Sequence, residues 1–149
     1  MPTLKDDLTP AGALVETEIG LCSTKVQGIR HALRPVPSTF RCRALLDTGA
    51  ERTCVDEAVC QALQLDYQGM ALVNIPSQQV GLAFGVKHDV DLTILHPSGN
   101  ARHHLIVRDL AVIELALNNF DFQVLIGRDV LAHCRFLYDG MFDRFYLRF

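Results

Sequence analysis

Apolar and polar residues alternate most regularly over residues 86–94. There Val86, His88, Val90, Leu92 and Ile94 take one face and Lys87, Asp89, Asp91 and Thr93 the other. A period of two predicts a half-buried strand. The turn residues Pro97-Ser98-Gly99-Asn100 follow, and the strand-like run Ala101–Val107 predicts its hairpin partner. Ala13–Leu21 and Thr39–Leu46 also read as strands, joined by a segment whose Pro35 and Pro37 exclude a central strand. Val55, Ala58, Val59, Ala62 and Leu63 recur at helical spacing behind Asp56, a capping residue, which predicts a short helix. Phe122–Ile126 reads as a strand that stops at Gly127, Arg128–Cys134 as a second short helix, and Arg135–Tyr138 with Met141–Phe149 as an aromatic hairpin about Asp139-Gly140. The expected fold is mostly β, a closed barrel-like sheet with one or two short helices, in a single domain over residues 13–149 behind a flexible N-terminal arm of residues 1–12.

Composition narrows the partners. With 149 residues, 49% of them hydrophobic and 21% charged, the chain can build its own core and is ordered rather than low-complexity. A net charge of -3 without any basic run argues against a nucleic-acid surface. There is no apolar run of membrane-spanning length and no basic-then-apolar leader. The five cysteines are odd in number and contain no C-x-x-C pair, so a disulfide scaffold is not expected and a reducing, cytoplasmic setting is. The partners left are proteins, peptides or small molecules.

One stretch breaks the apolar pattern in a way that calls for chemistry. Arg43-Ala44-Leu45-Leu46 runs straight into Asp47-Thr48-Gly49-Ala50-Glu51, which puts a carboxylate where burial is ending, a costly position unless the charge is used. Leu45-Leu46-Asp47-Thr48-Gly49-Ala50 resembles the active-site loop of aspartic proteases. About eighty residues on, Val124-Leu125-Ile126-Gly127-Arg128-Asp129-Val130-Leu131 resembles the second signature of the retropepsin family, two apolar residues, Gly and Arg before a short helix. The resemblance runs from about Thr39 to the C-terminus and is closest to the bacterial and eukaryotic relatives of the retroviral enzymes.

The resemblance implies an aspartic endopeptidase without cofactor or metal. The chain has a single Asp-Thr-Gly and no second Asp-Ser-Gly or Asp-Thr-Gly, so the second carboxylate that the chemistry requires would come from another copy. The functional unit implied is a symmetric homodimer with Asp47 of both subunits on the twofold axis, cutting a peptide or protein substrate. Thr48 would bond across the dimer and Gly49 would let substrate backbone approach. Glu51 and Arg128 match an acid and an Arg that pair in retroviral proteases, which implies an intrachain ion pair; Arg52 departs from the pattern. Ala50, unlike a Ser or Thr, has no hydroxyl to donate to an ionised carboxylate, which points to activity at mildly acidic to near-neutral pH. The cover over the cleft would be Asn74, Ile75, Pro76, Ser77, Gln78, Gln79, Val80, Gly81, Leu82, Ala83 and Phe84. The alternative is an inactive dimerisation or peptide-binding module on the same fold.

The remaining residues have plainer readings. His88, His96, His103, His104 and His133 show no ligand spacing, and neighbours on a strand face opposite ways, so a metal site is not expected. Cys54 and Cys60 read as buried fillers. The tail of Phe142, Phe145, Tyr146, Leu147 and Phe149 is a candidate intersubunit surface as well as core.

Overall fold

The alternating strand is the hub of the architecture. In the computed structural model, which describes residues 1–74 and 82–149, it extends over Leu82–Ile94 and holds neighbours on both sides. In chain order the elements are strands β1 (Thr3–Asp7) and β2 (Leu14–Leu21), helix α1 (Ser23–His31), strands β3 (Phe40–Leu46) and β4 (Cys54–Asp56), helix α2 (Glu57–Ala62), and strands β5 (Met70–Asn74) and β6 (Leu82–Ile94). After them come β7 (Leu105–Leu115), β8 (Val124–Ile126), helix α3 (Arg128–Leu131), β9 (Arg135–Asp139) and β10 (Arg144–Arg148).

A seven-stranded sheet runs in the order β2-β3-β8-β4-β7-β6-β5. Because β6 also pairs with β2, Ile19 opposite Leu92, six of these strands close into a barrel and β5 is left as a hairpin extension of β6. Closure removes the sheet edges that would otherwise be exposed. The barrel is filled by the inward face of each strand: Ile19, Ala44, Val55, Val90, Leu92, Ile94, Val112, Val124 and Ile126 are fully or almost fully buried. Val90, Leu92 and Ile94 lie on the face predicted from the period of two.

Four elements differ from the sequence reading. Residues 3–7, expected to be part of a loose arm, form β1 and pair antiparallel with β10, Leu4 opposite Leu147, in a three-stranded sheet β1-β10-β9. Leu4 alone of that strand is buried, too little apolar signal to mark a strand in isolation. The segment before Pro35 contains a helix, α1, that was not expected. It buries no residue, and its first turn is held by Asp91, which accepts from the Ser23 amide and hydroxyl at 3.1 and 2.6 Å. The last hairpin turns through four residues, Gly140–Asp143, rather than two, with Asp143 at φ 51°. The predicted partner of the alternating strand is present as β7, but it starts only at Leu105, after a 3-10 turn at Ala101–His103 capped by the Asn100 side chain. Helix α2 starts where its capping residue predicts, the Asp56 carboxylate accepting from the Ala58 amide at 2.9 Å.

Candidate active site

Two short strands bring the sequence signatures side by side. β3 and β8 run parallel, Leu45 opposite Leu125 and Leu46 opposite Ile126, so the chain leaves both strands at the same end of the barrel. The Asp47 amide continues that ladder by donating to the Ile126 carbonyl at 2.9 Å. The backbone then turns, the Ala50 amide donating to the Asp47 carbonyl at 3.2 Å, and the Gly49 amide reaches the Asp47 Oδ1 at 2.8 Å. A Cβ on Gly49 would stand 3.1 Å from that same oxygen, tighter than an ordinary contact. Asp47 is half-buried, Thr48 and Gly49 are exposed, and the carboxylate borders a cleft of about 380 Å³ whose walls include Gly12, Thr48, Phe136 and Tyr138.

The second signature pins this loop from behind. The Arg128 amide donates to the Ala50 carbonyl at 2.9 Å, and its guanidinium donates to the carbonyls of Thr48 and Gly49 at 2.9 and 3.3 Å. The expected Glu51–Arg128 ion pair is not formed: among the described residues Glu51, which is exposed, joins no ion pair, and Arg128 spends its donors on the loop backbone. Glu51 is solvent-exposed, and an exposed ion pair gains it little over water.

Two residues not singled out from the sequence complete the bracing. Thr53, fully buried, donates its hydroxyl to the Asp129 carboxylate at 2.7 Å and accepts from the Gly127 amide at 3.1 Å, while its own amide donates to Asp129 at 2.9 Å. Gly127 has an extended backbone, and what requires a glycine there is space, since a Cβ would lie 2.6 and 2.7 Å from the backbone C and O of Arg52. A threonine three residues beyond the first signature and an acid just after Gly-Arg were the available signals. Nearby, burial and then the charges of Asp129 and Asp47 push the Cys54 thiol up to about 11.

The cover expected over residues 74–84 falls mostly outside the described residues, namely Ile75, Pro76, Ser77, Gln78, Gln79, Val80 and Gly81. Its flanks are ordered as the β5–β6 hairpin, with Asn74 opposite Leu82 and Leu72 opposite Phe84, and with Leu72 and Phe84 exposed. The aromatic tail divides by strand alternation: Phe145 and Leu147 are fully buried core, Phe142 is exposed, and Leu137, Tyr138 and Met141 of the same hairpin are exposed with it.

No protein-family model and no curated protein sequence matches the chain. Solved structures do. A retropepsin-like aspartic protease from Rickettsia conorii superposes with a TM-score of 0.56 over 99% of this chain and 90% of that one, at 12% identity. The chain has a retropepsin-like fold. The retroviral protease-like domain of Ddi1 from Leishmania major also matches, with a TM-score of 0.43, 12% identity, and coverage of 87% of this chain and 83% of that chain. Within the retropepsin-like fold, the Asp47 loop and the Gly127-Arg128 turn meet through the backbone bonds described above. No helix among the described residues is long and apolar enough to cross a membrane.

Proposed function

We propose that the protein is an aspartic endopeptidase that works as a symmetric homodimer, with Asp47 of each subunit facing its counterpart. The observation that carries this reading is the posture of Asp47. Its loop is fixed on one side by Gly49, Arg128 and the β8 backbone, and its carboxylate borders an open cleft.

Peptide hydrolysis needs a base to take a proton from water and an acid to protonate the carbonyl oxygen. Two carboxylates a few ångströms apart hold one proton between them because both cannot be charged at that separation, so one pair supplies both roles. The unprotonated Asp47 takes a proton from water as its oxygen bonds to the scissile carbon, and the protonated Asp47 gives its proton to the carbonyl oxygen. The gem-diol then collapses: one of its hydroxyls gives a proton back to the unprotonated Asp47, the C–N bond breaks, the amine leaves with the proton of the other Asp47, and the acid product and the singly protonated pair remain. One chain supplies one such carboxylate, which makes the second subunit a chemical requirement. The exposed Leu137, Tyr138, Met141 and Phe142, on the hairpin that also walls the cleft, support contact between subunits on this side. The substrate would be an extended peptide paired through its backbone. Five free cysteines fit a cytoplasmic setting.

The test is digestion of a proteome-derived peptide mixture from pH 4 to 8, read by mass spectrometry, with Asp47→Asn beside the wild type and sedimentation to establish the dimer. Cuts that vanish in Asp47→Asn support the reading. A folded dimer that cuts nothing across that range would leave a peptide-binding module instead.

A further inference from the structure

On the inward side of the alternating strand, one position is not apolar. His88 is buried, and its ring is engaged at both nitrogens, Nδ1 with the Asp66 carbonyl at 2.8 Å and Nε2 with the Glu114 carboxylate at 2.7 Å. The thiol of Cys60 joins them: the Cys60 Sγ, a His88 ring nitrogen and a Glu114 oxygen lie within 4.8 Å of one another. The three come from α2, β6 and β7, and none of them walls the cleft beside Asp47.

We propose that Cys60, His88 and Glu114 form a binding site for a divalent cation of the zinc class, separate from the Asp47 centre. The donor set is the first reason. Thiolate, imidazole and carboxylate together are the ligands of zinc and cobalt, whereas magnesium and calcium take oxygen ligands alone. A thiolate and a carboxylate also neutralise a dication, which suits a site with little water.

The second reason is the way His88 is held. A backbone carbonyl only accepts, so Nδ1 carries the proton that bonds to Asp66. That fixes the ring and aims Nε2 at Glu114, the outer-sphere arrangement by which proteins orient a ligating histidine. The third reason is distance. Zinc binds sulfur at about 2.3 Å and nitrogen or oxygen at about 2.0–2.2 Å, so donors sharing one ion stand roughly 3–4 Å apart. The donor atoms here lie within 4.8 Å of one another, close to that spacing.

A hydrogen-bonded His–Glu pair alone explains two members and leaves the third idle. Among the described residues the Cys60 thiol has only a long contact of 4.0 Å to the Val55 carbonyl. Burial, with Glu114 and Asp56 adding to it, pushes that thiol up to about 12, so without metal it is protonated. Binding therefore releases two protons, one from the thiol and one from the hydrogen bond between His88 and Glu114, and leaves thiolate, neutral imidazole and carboxylate on the cation. The Glu114 side chain is 26% exposed, which gives the ion an entry path and leaves room for a water as fourth ligand.

The experiment uses the full chain stripped with chelator and titrated with Co²⁺ as a visible stand-in for zinc. The expected result is a thiolate-to-cobalt charge-transfer band and intense tetrahedral d–d bands that saturate at one equivalent and are displaced by Zn²⁺. Cys60→Ala should abolish the charge-transfer band. Glu114→Gln, which keeps the shape and a hydrogen bond to His88, should weaken binding by more than about tenfold. Absence of the band in the wild type overturns the proposal, as does a band that persists in Cys60→Ala, which would trace it to another of the five cysteines. If Cys60→Ala does not fold by circular dichroism, Glu114→Gln decides alone, and unchanged affinity there overturns the proposal too.

Discussion

Thr53→Val tests whether the active-site loop is braced through one buried hydroxyl. The two side chains have nearly the same shape, so packing of this fully buried position is preserved and only the polar partners are lost. Two effects add. The hydroxyl's bond to the Asp129 carboxylate at 2.7 Å is charge-assisted, and such a bond contributes about 1.5–3 kcal/mol. The Gly127 amide, buried and donating to the same oxygen at 3.1 Å, loses its acceptor, and an unsatisfied buried donor costs about 1–3 kcal/mol. The expected loss is about 2.5–6 kcal/mol, a large part of a typical domain stability of about 5–15 kcal/mol. Thr53→Ser keeps the hydroxyl and loses one methyl, so it should cost only about 1 kcal/mol. Urea unfolding of the two variants beside the wild type, with an unchanged slope to confirm two-state behaviour, reads the difference. If Thr53→Val loses under about 1 kcal/mol, or if Thr53→Ser loses as much as Thr53→Val, the hydroxyl does not brace the loop and the argument fails.

Arg128→Met should cost only about 1 kcal/mol of stability, because the guanidinium is exposed, yet lower kcat by more than KM changes, because the Thr48 and Gly49 carbonyls it holds lie beside Asp47; steady-state kinetics with a reporter peptide separate the two. Gly127→Ala places a Cβ against the Arg52 backbone and should leave little folded protein at 37 °C, read by circular dichroism; a normal melt would show that the turn can move aside. Alkali should destabilise the fold. The Cys54 and Cys60 thiols are raised from an ordinary value of 9.0 to about 11 and about 12, so their contribution is complete below pH 9 and is lost as pH rises from there through those values; a urea midpoint that does not fall between pH 9 and 11 contradicts their burial.

The parts of this fold that could be read from the chain are those whose cause is local. The period of two over Val86–Ile94 survives as the C-terminal part of β6 because strand alternation and barrel burial have the same period. Asp56 marks the start of α2 because a cap is satisfied by the next two residues. What was missed depends on partners far along the chain. Helix α1 buries nothing and is held at its start by Asp91, some sixty-eight positions away, so neither its apolar pattern nor a capping residue announces it. β1 is a strand because β10 is there to pair with it.

The site divides along the same line. Asp47 and Arg128 stand in short contiguous motifs, whereas the destination of Arg128 is a matter of where carbonyls point after a turn, and a motif records residue types rather than carbonyl directions. His88 makes the contrast sharpest. It sat in plain view on the apolar side of the most regular strand, where an ionisable ring is expensive without partners. The pattern therefore demanded that something satisfy it. That the Asp66 carbonyl and the Glu114 carboxylate do so, with Cys60 close by, could be learned only once the barrel had brought α2, β6 and β7 together. A polar residue that interrupts a buried face is thus a statement about tertiary structure made in one dimension: it fixes that partners exist and leaves their identity to the fold.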